Sequence, residues 1–320
     1  MDLASSSVRW CGAFLTAAAI GAVARRTRAL TVGGAAAATA VGTVVFARGG
    51  LPAAAALVAF FVTSSAFSRF RQREKAQRRV LAQAKGAERD AWQVAANGGV
   101  AALCLGILGH RGVGGFLGAL AAAAADTWAT ELGLLATRPP RLLTTLRPVP
   151  PGTSGGVTPE GTLAAIAGAA TVGATWEAMR WLQACRLRER RSRPGRRCGA
   201  ILVAGAAGSL GALADSLLGA AVQAEYWCPR CAEPTEARLH LRCGRATVLV
   251  RGRPWIDNDV VNALATATGA LVGAAISRRP HDVARQQPER YSRAGKPFVG
   301  PPDETPAKKP PDPLGPKSEV

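Results

Sequence analysis

Three stretches of this chain set ionisable side chains inside otherwise apolar sequence, where an unpaired charge is costly and therefore faces a partner or a cavity. The first is Ala125-Asp126-Thr127-Trp128-Ala129-Thr130-Glu131. At helical periodicity, Asp126, Thr127, Thr130 and Glu131 share one arc of roughly 140°. Two carboxylates so placed repel each other unless a cation or proton lies between them, so a cation site competes with a polar seam between helices. The second stretch is Gly208-Ser209-Leu210-Gly211-Ala212-Leu213-Ala214-Asp215-Ser216, continuing to Gly219 and Gln223. Gly208, Gly211, Asp215 and Gly219 form a narrow stripe flanked by Ser216 and Gln223; glycine packing explains the stripe but not its aspartate. The third is Trp255-Ile256-Asp257-Asn258-Asp259-Val260-Val261-Asn262. Asp257 suits a helix cap, while Asn258, Asn262 and Thr266 recur at four-residue spacing. Hard oxygen donors of this kind suit Mg²⁺, which commonly binds one or two carboxylates together with substrate phosphates.

Two glycine-rich turns could receive those phosphates on free backbone amides. His110-Arg111-Gly112-Val113-Gly114-Gly115 leads into the Asp126 stretch, and Gly152-Thr153-Ser154-Gly155-Gly156-Val157-Thr158-Pro159 opens a later one. In the second turn Thr158 is placed as a helix cap and Pro159 as the first helical residue. Neither turn is a Walker A sequence. A separate group, Cys228-Pro229-Arg230-Cys231 followed by His240-Leu241-Arg242-Cys243, has the paired spacing of a tetrahedral Zn²⁺ site. A redox pair or an extracellular disulfide is the alternative. Cys11, Cys104, Cys185 and Cys198 read as small hydrophobes.

The elements that carry these groups are apolar blocks: Trp10–Ala24, Ala29–Ala47, Leu51–Phe67, Trp92–Gly109, Gly112–Leu135, Thr162–Ala184, Cys198–Gln223 and Trp255–Ile276. Several approach the roughly 20 residues needed to cross a bilayer. Their succession predicts an all-α, polytopic membrane helix bundle spanning 1–276, with a small zinc-binding loop at 225–254 inserted. A Pro-rich tail, 277–320, is expected to be disordered. The first block lacks a strongly basic leader and reads as a retained anchor. The 320 residues carry 40 Lys+Arg against 21 Asp+Glu, a net charge of +19. That surplus would suggest nucleic acid, but it falls in clusters beside the blocks: Arg25–Arg28, Arg69–Arg89 and Arg186–Arg197. Only 5% of residues are aromatic, which leaves little for stacking on bases. The partner implied is a lipid bilayer, with basic loops setting orientation. Three blocks separate the two larger basic loops, an odd number, so one block is expected to be broken, doubled or re-entrant.

As a set, HRGVGGFLGALAAAAADTWATELG, GTSGGVTPEGT, GSLGALADSLLGAAVQ, CPRC with HLRC, and WIDNDVVN resemble the transmembrane protein 19 family, also catalogued as domain of unknown function 92. The resemblance runs from about Trp10 to Ile276, and its central and C-terminal motifs are the specific ones. Plant members include a phytyl-phosphate kinase. The resemblance implies transfer of phosphate from a nucleoside triphosphate, CTP among the candidates, to an isoprenoid monophosphate. In that reading Asp126, Glu131 and Asp215 hold Mg²⁺, supplemented by Asp257 and Asp259. His110 and Arg111 steady phosphate oxygens, Ser154, Gly155, Gly156 and Thr158 cradle a phosphate, and Asn258 and Asn262 orient ligands. Ser216 and Gln223 sit beside them as binding groups. The competing expectation is a secondary transporter with an intramembrane carboxylate site.

Overall fold

The computed structural model describes residues 3–78, 88–186, 199–240 and 242–277. The expected Pro-rich tail and much of the two large basic loops lie outside these residues. Among the described residues nine α-helical segments follow in order: α1 (Leu3–Arg26), α2 (Val32–Arg69), α3 (Gln72–Arg78), α4 (Ala91–Val94), α5 (Val100–Leu108), α6 (Val113–Gly133), α7 (Pro159–Arg186), α8 (Gly199–Ala221) and α9 (Asn258–Ser277). Among the described residues five helical runs are long and apolar enough to cross a membrane: Ser6–Arg26, Val32–Arg69, Ala91–Gly133, Gly199–Ala221 and Asn258–Ser277. The helix α7 is less apolar and is not one of them.

Two of those runs contain reversals, which is why the sequence divides them into separate blocks. At Gly50 the backbone leaves the helix with φ 63°, and Pro52 follows at the start of the second leg. A straight α2 would be about 57 Å long. Instead its far end returns, and the Arg69 side chain donates to the Thr27 carbonyl oxygen at 2.5 Å. A positive φ is cheap only for glycine, so the hairpin rests on Gly50. The second reversal is at Gly109, φ 54°, followed by a single 3₁₀ turn from Gly109 to Gly112.

The block Trp92–Gly109 is the broken one. Its helix widens to a π-helical segment over Ala95–Gly99 between α4 and α5. Such a segment disturbs the regular backbone ladder, and here the Ala96 carbonyl is met by the Thr266 hydroxyl of α9 at 2.9 Å. The break does not alter the parity of the crossings. Gly161 at the start of α7 packs on Gly133 at the end of α6, and Trp176 further along packs on Phe116 near the start of α6. Thus α7 runs antiparallel to α6, and Arg186 lies at the opposite end of the bundle from Lys75, which pairs with Glu131. The described residues that lead into the two basic loops, Lys75 and Arg186, are therefore not at one end of the bundle, contrary to the expectation from charge.

The centre of the bundle is α6, buried continuously from Gly114 to Ala125. From Ala119 to Ala125 no residue exceeds 1% exposure. With alanine and glycine predominating from Gly114 to Ala125, neighbouring backbones come into direct contact. A Cβ at Gly118 would sit 2.0 Å from the Gly269 carbonyl oxygen, and one at Gly273 would sit 2.2 Å from that of Gly114. This is the small-xxx-small mode of membrane helix packing. Replacing Gly118 with Val must push α9 away. We expect a loss of more than about 2 kcal/mol, read as loss of the monodisperse peak in size exclusion and a lower melting temperature in detergent.

The polar end of the bundle carries little sheet. Strands β1 (Arg141–Leu142) and β2 (Gly156–Val157) form a short antiparallel pair. Strands β3 (Glu225–Cys228), β4 (Glu233–Thr235) and β5 (Val248–Arg251) form an antiparallel sheet of order β4-β3-β5. The segment expected as a zinc-binding loop is thus a small sheet lobe. It is fixed to the end of α8 by Arg251, which donates to the Ala220 carbonyl oxygen at 2.7 Å and pairs with Glu225 at 2.9 Å.

Candidate active site

Asp126 lies two-thirds of the way along α6 and Asp215 in the last third of α8. The Gly/Ala contacts between these helices bring the two carboxyl groups within hydrogen-bond reach of each other. Asp215 Oδ2 is buried and has no hydrogen-bond partner. Two carboxyls in contact, one with an orphaned oxygen, are unstable unless a proton or cation joins them. Glu131, one turn further along α6, is differently engaged: Lys75 Nζ of α3 reaches its Oε2 at 2.7 Å, with both side chains largely buried. Lys75 also donates to the Phe67 carbonyl oxygen at the end of α2.

These groups line one polar cavity of about 880 Å³. It also takes in Ser154, Gly155, Gly156, Thr158, Ser216, Gln223, Asn258 and Asn262. The turn from Gly152 to Thr158 is seated there by contact with α8. Gly155 has φ 80° and lies where a Cβ would be 2.6 Å from the Ser216 carbonyl oxygen, so only glycine fits. Thr158 Oγ1 accepts from the Gly161 amide at 3.0 Å, capping α7 with Pro159 as its first residue. From the sheet lobe, Glu236 accepts from Ser154 Oγ at 3.4 Å and from Gln223 Nε2 at 3.2 Å.

Four of the residues singled out from the sequence do not line the cavity. His110 and Arg111 form the 3₁₀ turn at the start of α6, roughly 20 Å along that helix from Asp126. Asp257 is exposed and caps α9, its Oδ1 accepting from the amides of Asp259 and Val260 at 3.1 and 3.0 Å. Asp259 lies in the first turn of that helix and is also absent from the cavity wall.

Conversely, the cavity contains cations that sequence reasoning had assigned to flanking loops: Arg28, Arg69, Lys75 and Arg89. Arg89 is clamped by its backbone, donating to the Ala29 carbonyl oxygen and accepting from the Thr31 amide, both at 3.0 Å. Burial pushes its guanidinium down from the usual value, and the Glu131 carboxylate opposes that shift. Arg28 carries φ 53°. It stands where α1 ends, with the Ala29 amide donating back to the Ala24 carbonyl oxygen, a position that favours glycine. An arginine held there at a cost of about 1 kcal/mol is the kind of local strain found at working sites. Asn97, inside the π-helical segment, also lines the cavity; a polar residue in an apolar block was the available signal for it.

Cys228, Cys231, His240 and Cys243 come together in the sheet lobe, all ligand atoms lying within 4.8 Å of one another. The Cys228 and Cys243 sulfurs are 3.6 Å apart, and His240 Nδ1 is 3.3 Å from Cys243 Sγ. The backbone of Arg245, then His240, holds the Cys243 thiol down to about 6, while its hydrogen bond to Cys243 pushes Cys231 up to about 11. One thiolate is thus already favoured at neutral pH, as metal ligation requires. The other His240 nitrogen, Nε2, faces Glu233 at 3.8 Å, the kind of carboxylate that orients a metal-bound imidazole.

Antiparallel apolar helices closed around a polar cavity define a multi-pass integral membrane protein. Within that class, residues 15–270 match the integral membrane protein family DUF92, and the chain belongs to it. It is 32% identical to Protein PGR of Arabidopsis thaliana over 227 residues, 65% of this chain and 75% of that one. It is 30% identical to an uncharacterized membrane protein of Methanocaldococcus jannaschii over 163 residues, 51% of this chain and 50% of the relative. An uncharacterized membrane protein of Synechocystis is 24% identical over 243 residues, 74% of this chain and 78% of the relative. No solved structure matches the chain.

Proposed function

We propose that the protein is a membrane prenyl-phosphate kinase, transferring the terminal phosphoryl group of a nucleoside triphosphate to an isoprenoid monophosphate. The observation that carries this reading is that one cavity is lined by a coupled carboxylate pair and by four cations. Asp126 and Asp215 share its wall with Arg28, Arg69, Lys75 and Arg89. The acceptor phosphate is already an anionic nucleophile near neutral pH, so the reaction needs alignment and charge neutralisation rather than a strong base. One acceptor oxygen bonds to the terminal phosphorus as the bridging P–O bond to the nucleoside diphosphate breaks, and the diphosphate leaves with that electron pair. The cations steady the phosphate oxygens, and the Gly155–Gly156 turn offers backbone close to them.

The buried, partnerless Asp215 Oδ2 beside Asp126 fits a hard divalent cation. Asp126 and Asp215 would hold Mg²⁺, which when bound would neutralise charge on the transferring group. Glu131 then serves through Lys75, and Asp257 as a helix cap. Cys228, Cys231, His240 and Cys243 would hold a structural Zn²⁺, since the protein fills all four positions.

The test offers purified protein C10, C15 or C20 prenyl monophosphate, Mg²⁺ and each nucleoside triphosphate in turn. Lipid diphosphate should appear with at least one donor and vanish when EDTA is added. Folded protein that makes none with any donor would overturn the proposal. One feature favours a transporter instead, the π-helical break beside the cavity, because broken helices often line transport sites. Mg²⁺-independent uptake of a solute into proteoliposomes, without diphosphate formation, would establish that reading.

A further inference from the structure

One face of the sheet lobe is apolar where water should meet it. In register across the three strands, Pro234, Trp227 and Val248 stand side by side, and Val250 follows two residues along β5 on the same face. Trp227 is 40%, Val248 59% and Val250 58% exposed. On the other face Tyr226 and Thr235, paired across β3 and β4, are buried, and so is Cys228 of the metal-ligand cluster. An antiparallel sheet with one buried face normally turns polar side chains outward on the other, so this face calls for a cover.

The place of the lobe in the chain says what that cover is. The lobe joins two of the runs suited to cross the membrane, Gly199–Ala221 and Asn258–Ser277. Its two legs are tied together beside their ends: the Arg253 amide donates to the Val222 carbonyl oxygen at 3.0 Å, and the Ala224 amide to that of Ile256 at 2.8 Å. Arg251, next to Val250, reaches the Ala220 carbonyl oxygen at the end of α8. Exposed Trp255 lies three residues before α9, no more than about 11 Å of chain. The polar layer at each surface of a bilayer is roughly 5–8 Å deep, and tryptophan is enriched there because its ring is apolar and its N–H polar. The Arg253 guanidinium sits over the Trp255 ring at 5.9 Å, a cation beside an interfacial aromatic. Residues 225–254 carry six arginines against three glutamates. That surplus suits anionic lipid headgroups and opposes a self-complementary contact with the same face of a second copy.

We propose that the face bearing Trp227, Val248 and Val250 rests on the headgroup layer of the bilayer around the bundle. Trp227 and Trp255 seat in that layer, and the exposed Arg245 and Arg253 meet anionic headgroups. The contact is independent of the reaction performed in the cavity.

The experiment places the full-length protein, labelled with 5-fluorotryptophan, in nanodiscs of phosphatidylcholine and phosphatidylglycerol. Trp227→Phe and Trp255→Phe assign two of the seven tryptophan fluorine signals. A lipid carrying a nitroxide on its headgroup should broaden the Trp227 signal at least threefold more than a soluble gadolinium chelate does, and the Trp255 signal likewise. Val248→Asp combined with Val250→Asp should reverse that order for Trp227. The wild-type comparison carries the test if this double variant does not elute as a single species. A Trp227 signal broadened more by the chelate would put the face in water and overturn the proposal. One broadened by neither agent would mean that protein covers the face, a second copy included, and would overturn it equally. A response from Trp255 alone would report only the start of α9, and the lobe contact would fall.

Discussion

Asp215→Asn should lower phosphoryl transfer by about three orders of magnitude while the protein elutes and melts as wild type does. Asn has the shape of Asp, so helix packing around Gly211 and Gly219 is undisturbed. What it removes is the charge on a buried carboxylate whose Oδ2 has no partner and which touches Asp126. Loss of one preorganised electrostatic contact to a reacting phosphate costs about 10²- to 10³-fold, and weakening the metal adds to that. Asp126→Asn should behave alike, and the double variant should be little worse than either alone because the pair acts as a unit. The readouts are initial rates and their dependence on Mg²⁺, whose half-saturating concentration should rise. A purely structural pair predicts the opposite pattern. Removing one of two repelling charges would then leave activity within tenfold and raise the melting temperature. That result would end the assignment.

Cys228→Ser should take bound metal from about one Zn²⁺ per chain to none, measured by elemental analysis of protein purified without added metal. Cys228 is fully buried at the centre of the cluster. Because metal affinity in such lobes is folding free energy, the three strands around it should open to limited proteolysis between 225 and 254, while α1 to α9 stay intact. Transfer should fall as well, at least tenfold, since Glu236 reaches from this lobe to Ser154 and Gln223 in the cavity. Unchanged metal content would refute the zinc assignment outright.

The sequence carried the site unevenly, and for physical reasons. Asp126 and Asp215 announce themselves because a carboxylate in an alanine-rich span is costly wherever it points. Thr158-Pro159 and the paired cysteine spacing are local signals, and local geometry is what short motifs encode. The cations were hidden by a rule that is usually right: basic residues beside apolar spans are read as loop charges. Nothing in the order of residues says that Lys75 turns back onto Glu131, 56 positions away, or that Arg28 occupies a left-handed turn. His110 and Arg111 stand where the sequence puts them, at the start of α6, but residue order alone does not show that the cavity lies roughly 20 Å further along that helix. The blocks were legible and so were the places where they part, between Ala47 and Leu51 and at Gly109; what composition does not display is that Gly50 and Gly109 turn the chain through positive φ.

A centre made of alanine and glycine has an asymmetry in how it can change. At most positions of a protein interior, substitution removes atoms and leaves a hole. Along α6 from Ala119 to Ala125 only Leu120 has more than a methyl to lose; all seven residues are buried, and Ala121, Ala122 and Ala124 already touch glycines of neighbouring helices. Variation there is confined to exchange among the smallest residues. Saturation mutagenesis should therefore record this stretch as intolerant of almost everything, although none of its side chains lines the polar cavity.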